Sequence, residues 1–469
     1  MSRHRRITGT VGAAAGWLLG VAFLSVATAL ADSYEIIPDP SSTETLTGVY
    51  GLENTAPPAE TGSIQGYQEF EVYDTSTNQA VGYFDADESN SADISGDTNT
   101  ELLVTSDVLG AGTVGTAAGD IPPVGSVIDT YAYAGGQFGY VYTDYPSTTG
   151  GADTATATLT TVSYGDFPFA STYDAIASES DTSVPPITLA GGDDIVPTGA
   201  ETFTAVSGAA PYDTDIQGIQ VFDVENSAGT VIGSFTGDVT TTTDAAGTNT
   251  EAILVTADGS GTVGTAAGDI PAVGSVIDSI DFDKGAYPEI YTDLVSPTGG
   301  ADVLSTIHTS PFGNISVPTS FDAVAAEPDT ATIPFDGGDI TPHGTETFTG
   351  INGLPPADVA IQGTQEFDVT DSAGTGTFEA DVTTTSTSVY NETTETLLVT
   401  SATGDAPAAG SVIDVANYGS GFETVYSDLI STGGASVITD TVVTPFGDFA
   451  IPTSFDAGSG LLADTIALF

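Results

Sequence analysis

Polar and apolar positions alternate with period two in a segment that occurs three times along this chain. Ile64, Gly66, Gln68, Phe70 and Val72 fall on one side of an extended strand, as do Ile216, Gly218, Gln220, Phe222 and Val224, and Ile361, Gly363, Gln365, Phe367 and Val369. The positions between them change from copy to copy, as at Tyr67, Ile219 and Thr364. A packed face restricts its residues and a wet face does not, so the pattern predicts a half-buried strand with its constant side inward. Asn226-Ser227-Ala228-Gly229 and Asp371-Ser372-Ala373-Gly374 follow and read as hairpin turns.

The repetition runs through the whole chain. Gly112 to Asp129 (GTVGTAAGDIPPVGSVID) returns at Gly261 to Asp278 with Ala272 in place of Pro123, and its GSVID ending returns at Gly410 to Asp414. Each copy starts with Glu44-Thr45-Leu46, Glu201-Thr202-Phe203 or Glu346-Thr347-Phe348. Each later shows Tyr142-Thr143-Asp144, Tyr291-Thr292-Asp293 or Tyr426-Ser427-Asp428, and closes on Tyr173-Asp174-Ala175, Phe321-Asp322-Ala323 or Phe455-Asp456-Ala457. Runs of Thr, Val, Ile, Tyr and Phe are broken every few residues by Gly, Pro, Asp or Asn, and no helical period is sustained. The expected fold is all-β, with three tandem antiparallel β-sandwich modules of about eight or nine strands each.

Asp464 to Phe469 resembles Asp329 to Phe335 and Asp181 to Leu189. A segment that ends the chain is read as part of the module before it. The expected modules are therefore 32–190, 191–336 and 337–469, with hinges at Gly191-Gly192 and Gly337-Gly338.

Residues 1–31 read as an export signal. Arg3, Arg5 and Arg6 precede an apolar run from Val11, and Ala29-Leu30-Ala31 supplies small residues for cleavage; the alternative is a retained anchor. Without that leader the only basic residue is Lys284, beside 64 acidic ones and no Cys. An exported chain without disulfides must be held by its sheets and apolar cores, and 40% apolar residues supply enough material for them. The charge repels nucleic acid and anionic membrane surfaces and favours cations or basic surfaces as partners. The expected location is secreted, extracellular or on the cell-envelope surface.

Catalytic motifs are weak. Gly110-Ala111-Gly112-Thr113-Val114-Gly115 and Gly259-Ser260-Gly261-Thr262-Val263-Gly264 match a dinucleotide fingerprint, but Pro122 and Pro271 interrupt where a helix should follow, so turn loops are expected. Beyond the leader the only His residues are His308, read as a strand residue, and His343, read as lying in a joint; Lys284 is read as a loop residue. The acids that recur in all copies, Asp129, Asp278 and Asp414; Asp144, Asp293 and Asp428; Asp174, Asp322 and Asp456, are expected to be structural, for example as turn caps. No catalytic or cofactor-binding residue is assigned. Asp193, Asp194, Asp336 and Asp339 cluster at the two joints and are the candidate ligands for a hard cation such as Ca2+.

With the leader and the Gly/Ala/Thr-rich strands, Pro445-Phe446-Gly447 and Ile451-Pro452-Thr453-Ser454-Phe455-Asp456-Ala457 resemble exported acidic proteins of mycobacterial type. That resemblance implies export and assigns no functional residue. The leading expectation is a non-catalytic secreted or surface structural or interaction protein. An exported carbohydrate-binding or carbohydrate-active protein is the alternative, with Tyr133, Tyr140 and Tyr142 as its stacking platform, and an envelope β-barrel is a second alternative.

Overall fold

The computed structural model describes residues 34–467 apart from short internal stretches, of which 51–61, 179–186, 325–331 and 451–465 are the longest. The expected leader over 1–31 lies outside the described residues.

The chain is all-β and forms three tandem antiparallel sheets. In the second, strands Ile187–Thr188, Asp194–Gly208, Thr214–Glu225, Val231–Thr243, Asn249–Asp258, Val276–Phe282, Tyr287–Leu294, Val303–His308 and Ile315–Val317 lie side by side in chain order. The third sheet repeats this from Ile333–Phe335 to Phe449–Ala450. In the first, the long second strand is split into Tyr34–Pro38 and Thr45–Tyr50, both paired with Gly62–Asp74. Each module is thus an antiparallel sheet of nine or ten strands curled over a core, giving the three tandem β modules expected. Connections between such neighbouring strands need only tight turns. At Asn226, Oδ1 accepts from the N–H groups of Ala228 and Thr230, and Gly229, at φ 68°, donates to the Asn226 carbonyl. The matching turn at Asp371 to Ala373 lies outside the described residues.

The period-two strand packs as its pattern predicts. Phe70 and Val72 are buried and Tyr67 is exposed, as Phe222 and Val224 are buried and Ile219 exposed. Each inward Phe stacks on its cross-strand partner, Phe70 on Phe84, Phe222 on Phe235 and Phe367 on Phe378, with centroids 5.7, 5.2 and 5.1 Å apart. Burial of such a ring stabilises by about 1.5–3 kcal/mol, and stacking adds about 0.5–1.5 kcal/mol.

The middle of each sheet is apolar on both faces, for a reason that alternation alone does not reveal. Leu102 and Val104 point into the first core, while Leu103 joins Val127 and Tyr142 in a second cluster that includes Phe203 and Ile216 of the next sheet. Leu254, Val276 and Tyr291 likewise meet Phe348, Ile351 and Ile361 of the third. The outer face is where modules dock.

The docking strand gets there through a bulge. Pairing of Asp194–Gly208 slips between Thr198 and Thr202, where Gly199 sits at φ 80°, and that of Gly338–Asn352 slips between His343 and Thr347, with Gly344 at φ 81°. Glycine adopts this left-handed conformation without a Cβ clash, and the bulge re-aims the strand. Asp194–Gly208 then packs on Gln79–Ala92 and Thr98–Val108 of the first sheet, and Gly338–Asn352 on Val231–Thr243 and Asn249–Asp258 of the second. Thr45–Tyr50 of the first sheet packs on Thr375–Thr387 and Glu392–Gly404 of the third. Three like contacts close the chain into a ring.

The expected module boundaries need correction. Ile187–Thr188 pairs with Asp194 and Ile195, Ile333–Phe335 pairs with Gly338 to Ile340, and Ile466–Ala467 pairs with Glu35 and Ile36. The closing segment of each copy therefore belongs to the sheet that follows, and the last one joins the first. The second and third sheets begin at Ile187 and Ile333, not at 191 and 337. A strand goes with the neighbour that satisfies its backbone N–H and C=O groups, whatever its place in the repeat. Leu189 N–H donates to Asp193 O at 2.8 Å and Gly192 N–H to Leu189 O at 2.9 Å, so Gly191-Gly192 is a hairpin tip inside a sheet and not a free hinge.

Candidate functional site

Two repeated landmarks meet in space. Phe138–Tyr145 places Tyr142 and Asp144 on the docking face, and the segment Asp174 to Ile176 lies against them. Ala175 N–H donates to the Tyr142 hydroxyl oxygen at 3.1 Å and Ile176 N–H to Asp144 Oδ2 at 3.2 Å; the Tyr142 hydroxyl donates to the same Oδ2 at 3.3 Å. The second sheet repeats this, with Ala323 N–H on the Tyr291 oxygen and Val324 N–H on Asp293 Oδ2, both at 3.2 Å. These bonds pin the chain leaving the sheet back onto it.

A third carboxylate enters from the adjoining turn. Asp153 Oδ1 accepts from Ser147 N–H at 2.8 Å, and Asp302 Oδ1 from Ser296 N–H at 3.1 Å, each closing the turn after its docking-face aspartate. The outcome is two trios, Asp144 with Asp153 and Asp174, and Asp293 with Asp302 and Asp322, in each of which one carboxylate oxygen per residue lies within 4.8 Å of the other two. Asp144 and Asp293 are fully buried, and the Oδ1 atom of each has no hydrogen-bond partner. Burial pushes the Asp144 carboxyl up, the Ile176 N–H opposes this, and the Asp174 charge adds to the rise. Burial likewise raises Asp293 against the pull of Val324 N–H, with Asp322 and Asp302 adding to it. All-oxygen, all-anionic groups of this kind suit protons or hard cations and offer nothing to soft metals. In the third copy Asp428 is buried, and its counterpart acid Asp456 lies outside the described residues.

The joint acids are placed differently. Asp193 Oδ2 accepts from Gly268 N–H at 2.6 Å, tying the hairpin tip to a loop of the same sheet, and Asp194 Oδ1 accepts from the Thr188 hydroxyl at 2.7 Å. Asp339 is exposed on its strand, and Asp336 lies outside the described residues. None of these belongs to a trio of carboxylates at ligand distance among the described residues. The acids at Asp129, Asp278 and Asp414 are not turn caps: they are buried within strands, on the docking face.

Among the described residues, 112–126 and 259–275 form turns without a helix, bridged in parallel at Val114 with Ile121 and at Val263 with Ile270. Ile121 and Ile270 cap the cores over Gly82 and Gly233, where any Cβ would strike them. His308 is a strand residue, as expected, paired with Glu289 at 3.2 Å. His343 lies within a strand and not in a joint, 3.0 Å from Asp368; Lys284 is outside the described residues. Of the tyrosines considered as a sugar platform, Tyr140 and Tyr142 are buried, and half-buried Tyr133 stacks on Tyr131 with ring centroids 4.4 Å apart. A cavity of about 90 Å³ between Gly115–Asp120 and the strands bearing Thr143 and Thr156 is well short of an ordinary ligand pocket of about 300 Å³ or more.

Asp153 and Asp302 are the site residues that sequence reasoning missed. Their signal was present, since Gly150-Gly151-Ala152-Asp153 and Gly299-Gly300-Ala301-Asp302 follow Asp144 and Asp293 at equal spacing. The third copy has Ala435-Ser436 there, so the acid does not recur three times. No protein-family model matches the chain, and no curated protein or solved structure matches it either.

Proposed function

We propose that the chain is an exported, non-catalytic structural or interaction protein that presents a strongly acidic surface to cations or basic partners outside the cell. The observation that carries this reading is where the repeated residues go. Phe203 and Phe348, Ile216 and Ile361, Tyr142 and Tyr291, and Leu103 and Leu254 all fill docking clusters between sheets. What was copied is thus the means of assembling a ring, and the exposed strand positions vary. A scaffold needs its joints repeated, whereas an enzyme needs one constellation of reacting groups.

The test is a titration of the chain from residue 32 onward with poly-lysine at low and high salt, beside a panel of glycoside substrates. Saturable binding that weakens steeply with salt, without turnover, is expected. Hydrolysis of any glycoside, lost on substitution of a single carboxylate, would overturn the reading.

A further inference from the structure

We infer that the two carboxylate trios, Asp144–Asp153–Asp174 and Asp293–Asp302–Asp322, are binding sites for a hard divalent cation of the Ca2+ class. Oxygens that share one Ca2+ at about 2.4 Å can stand no more than about 4.8 Å apart, and each trio meets that limit. The geometry alone would also describe an idle acidic cluster. The buried aspartate distinguishes it: Asp144 Oδ2 is occupied by the Ile176 N–H and the Tyr142 hydroxyl, while Oδ1 is shielded from water and has no donor. Asp293 repeats this with Oδ2 on Val324 N–H and Oδ1 without a partner. A buried carboxylate oxygen without a donor is costly unless a cation or proton meets it, and two further carboxylates at the same spot make a cation the stronger partner.

The site also has a mechanical logic. Each trio joins the end of a docking-face strand, the turn that follows it and the segment leading towards the next sheet. One ion would tie together three pieces of chain, adding to the hydrogen bonds that Ala175 and Ile176, or Ala323 and Val324, already make with the strand. Three carboxylates with water completing the shell correspond to weak extracellular sites, with Kd on the order of 10⁻⁴–10⁻³ M. Ser436 stands at the Asp153 and Asp302 position in the third copy, so that copy lacks the full oxygen set in sequence.

The test uses tyrosine-sensitised Tb3+ luminescence, because Tyr142 touches Asp144 and Tyr291 sits in the same arrangement. The chain from residue 32 onward, stripped with chelator and held in about 150 mM NaCl to suppress loose counterions, is titrated with Tb3+ and then with CaCl2 in competition. Two sites per chain are expected. Asp153→Asn and Asp302→Asn, at half-buried turn positions, should each remove one site, and the double variant both. Asp339→Asn, an exposed acid outside the trios, should leave two. In parallel, CaCl2 should raise the melting temperature of the parent chain and not that of the double variant. Luminescence and melting curves in the double variant that match the parent would overturn the inference, as would loss of sites in Asp339→Asn.

Discussion

Ile36 and Ile466 are cross-strand partners in the first sheet, although almost the whole chain lies between them. The same place in the second sheet is taken by Ile195 and Ile187, which are joined by a short hairpin. Removal of residues 464–469 should therefore leave the Tyr34–Pro38 edge unpaired and lower stability by about 1–3 kcal/mol, from a few lost backbone hydrogen bonds and their packing. A permuted chain that joins Phe469 to Tyr34 through a glycine linker and opens between Gly191 and Gly192 should remain folded. Thermal melts by circular dichroism read both results.

The ring rests on side chains that cross between sheets. Ile216 and Ile361 are 4% and 7% exposed in the docking clusters. Ile216→Ala or Ile361→Ala should cost about 2–4 kcal/mol through lost burial and the cavity left behind. Small-angle scattering should show expansion as the contact loosens, whereas Ile219→Ala, at an exposed position on the same strand as Ile216, should change neither stability nor size.

One buried acid can be repaired by copying a neighbour. Asp414 Oδ1 accepts from the Thr396 hydroxyl at 3.0 Å, and the cross-strand partner of Asp278 at the matching place is Ala252. Burial pushes Asp278 well up, Glu251 adds to this, and only the Ser279 N–H pulls down, without forming a well-shaped hydrogen bond. Ala252→Thr should supply the missing donor and raise stability by about 0.5–1.5 kcal/mol at neutral pH, as measured by urea unfolding.

Acid should stabilise this protein before it harms it. Burial raises Asp87 and Asp238 to about 6, and Asp381, their counterpart in the third sheet, is raised by burial and by Glu379. Between about pH 6 and pH 4 the native state holds protons that the unfolded chain releases, so unfolding free energy increases as pH falls through that window. The melting temperature should be several degrees higher near pH 5 than near pH 8. Asp87→Asn with Asp238→Asn should reduce the difference, and the part that remains belongs to the other carboxyls that burial raises, Asp144, Asp278, Asp293 and Asp381.

Salt should act in the same direction. With 64 acidic residues and four basic ones, the folded surface repels itself at long range. The screening length shrinks from about 30 Å at 0.01 M to about 8 Å at 0.15 M, so melting temperature should climb across that range and then level off. A flat response would mean that the acids are already neutralised in the fold.

Much of this was legible in the residues. Alternation at Phe70 and Val72 gave away an inward face, and the copied GSVID segments announced three like units. Alternation was silent about Leu103 and Leu254, because a strand buried on both sides reads as a plain apolar run, and the second partner is another module. Likeness among 181–189, 329–335 and 464–469 identified equivalent strands but not the sheets they complete, since hydrogen-bond partners decide that. Along the chain, Asp144 and Asp174, like Asp293 and Asp322, stand about 30 residues apart. Their convergence depends on how Ala175 and Ala323 dock on Tyr142 and Tyr291, which spacing along the chain does not encode.

Because Ile466–Ala467 pairs with Glu35 and Ile36, one edge of the first sheet is closed by a strand from the far end of the described chain. The second and third sheets draw their described strands from contiguous stretches, whereas the first keeps an open edge until Ile466–Ala467 arrives. Contacts that span so much chain form slowly. The last kinetic phase of refolding should therefore be the closing of that edge.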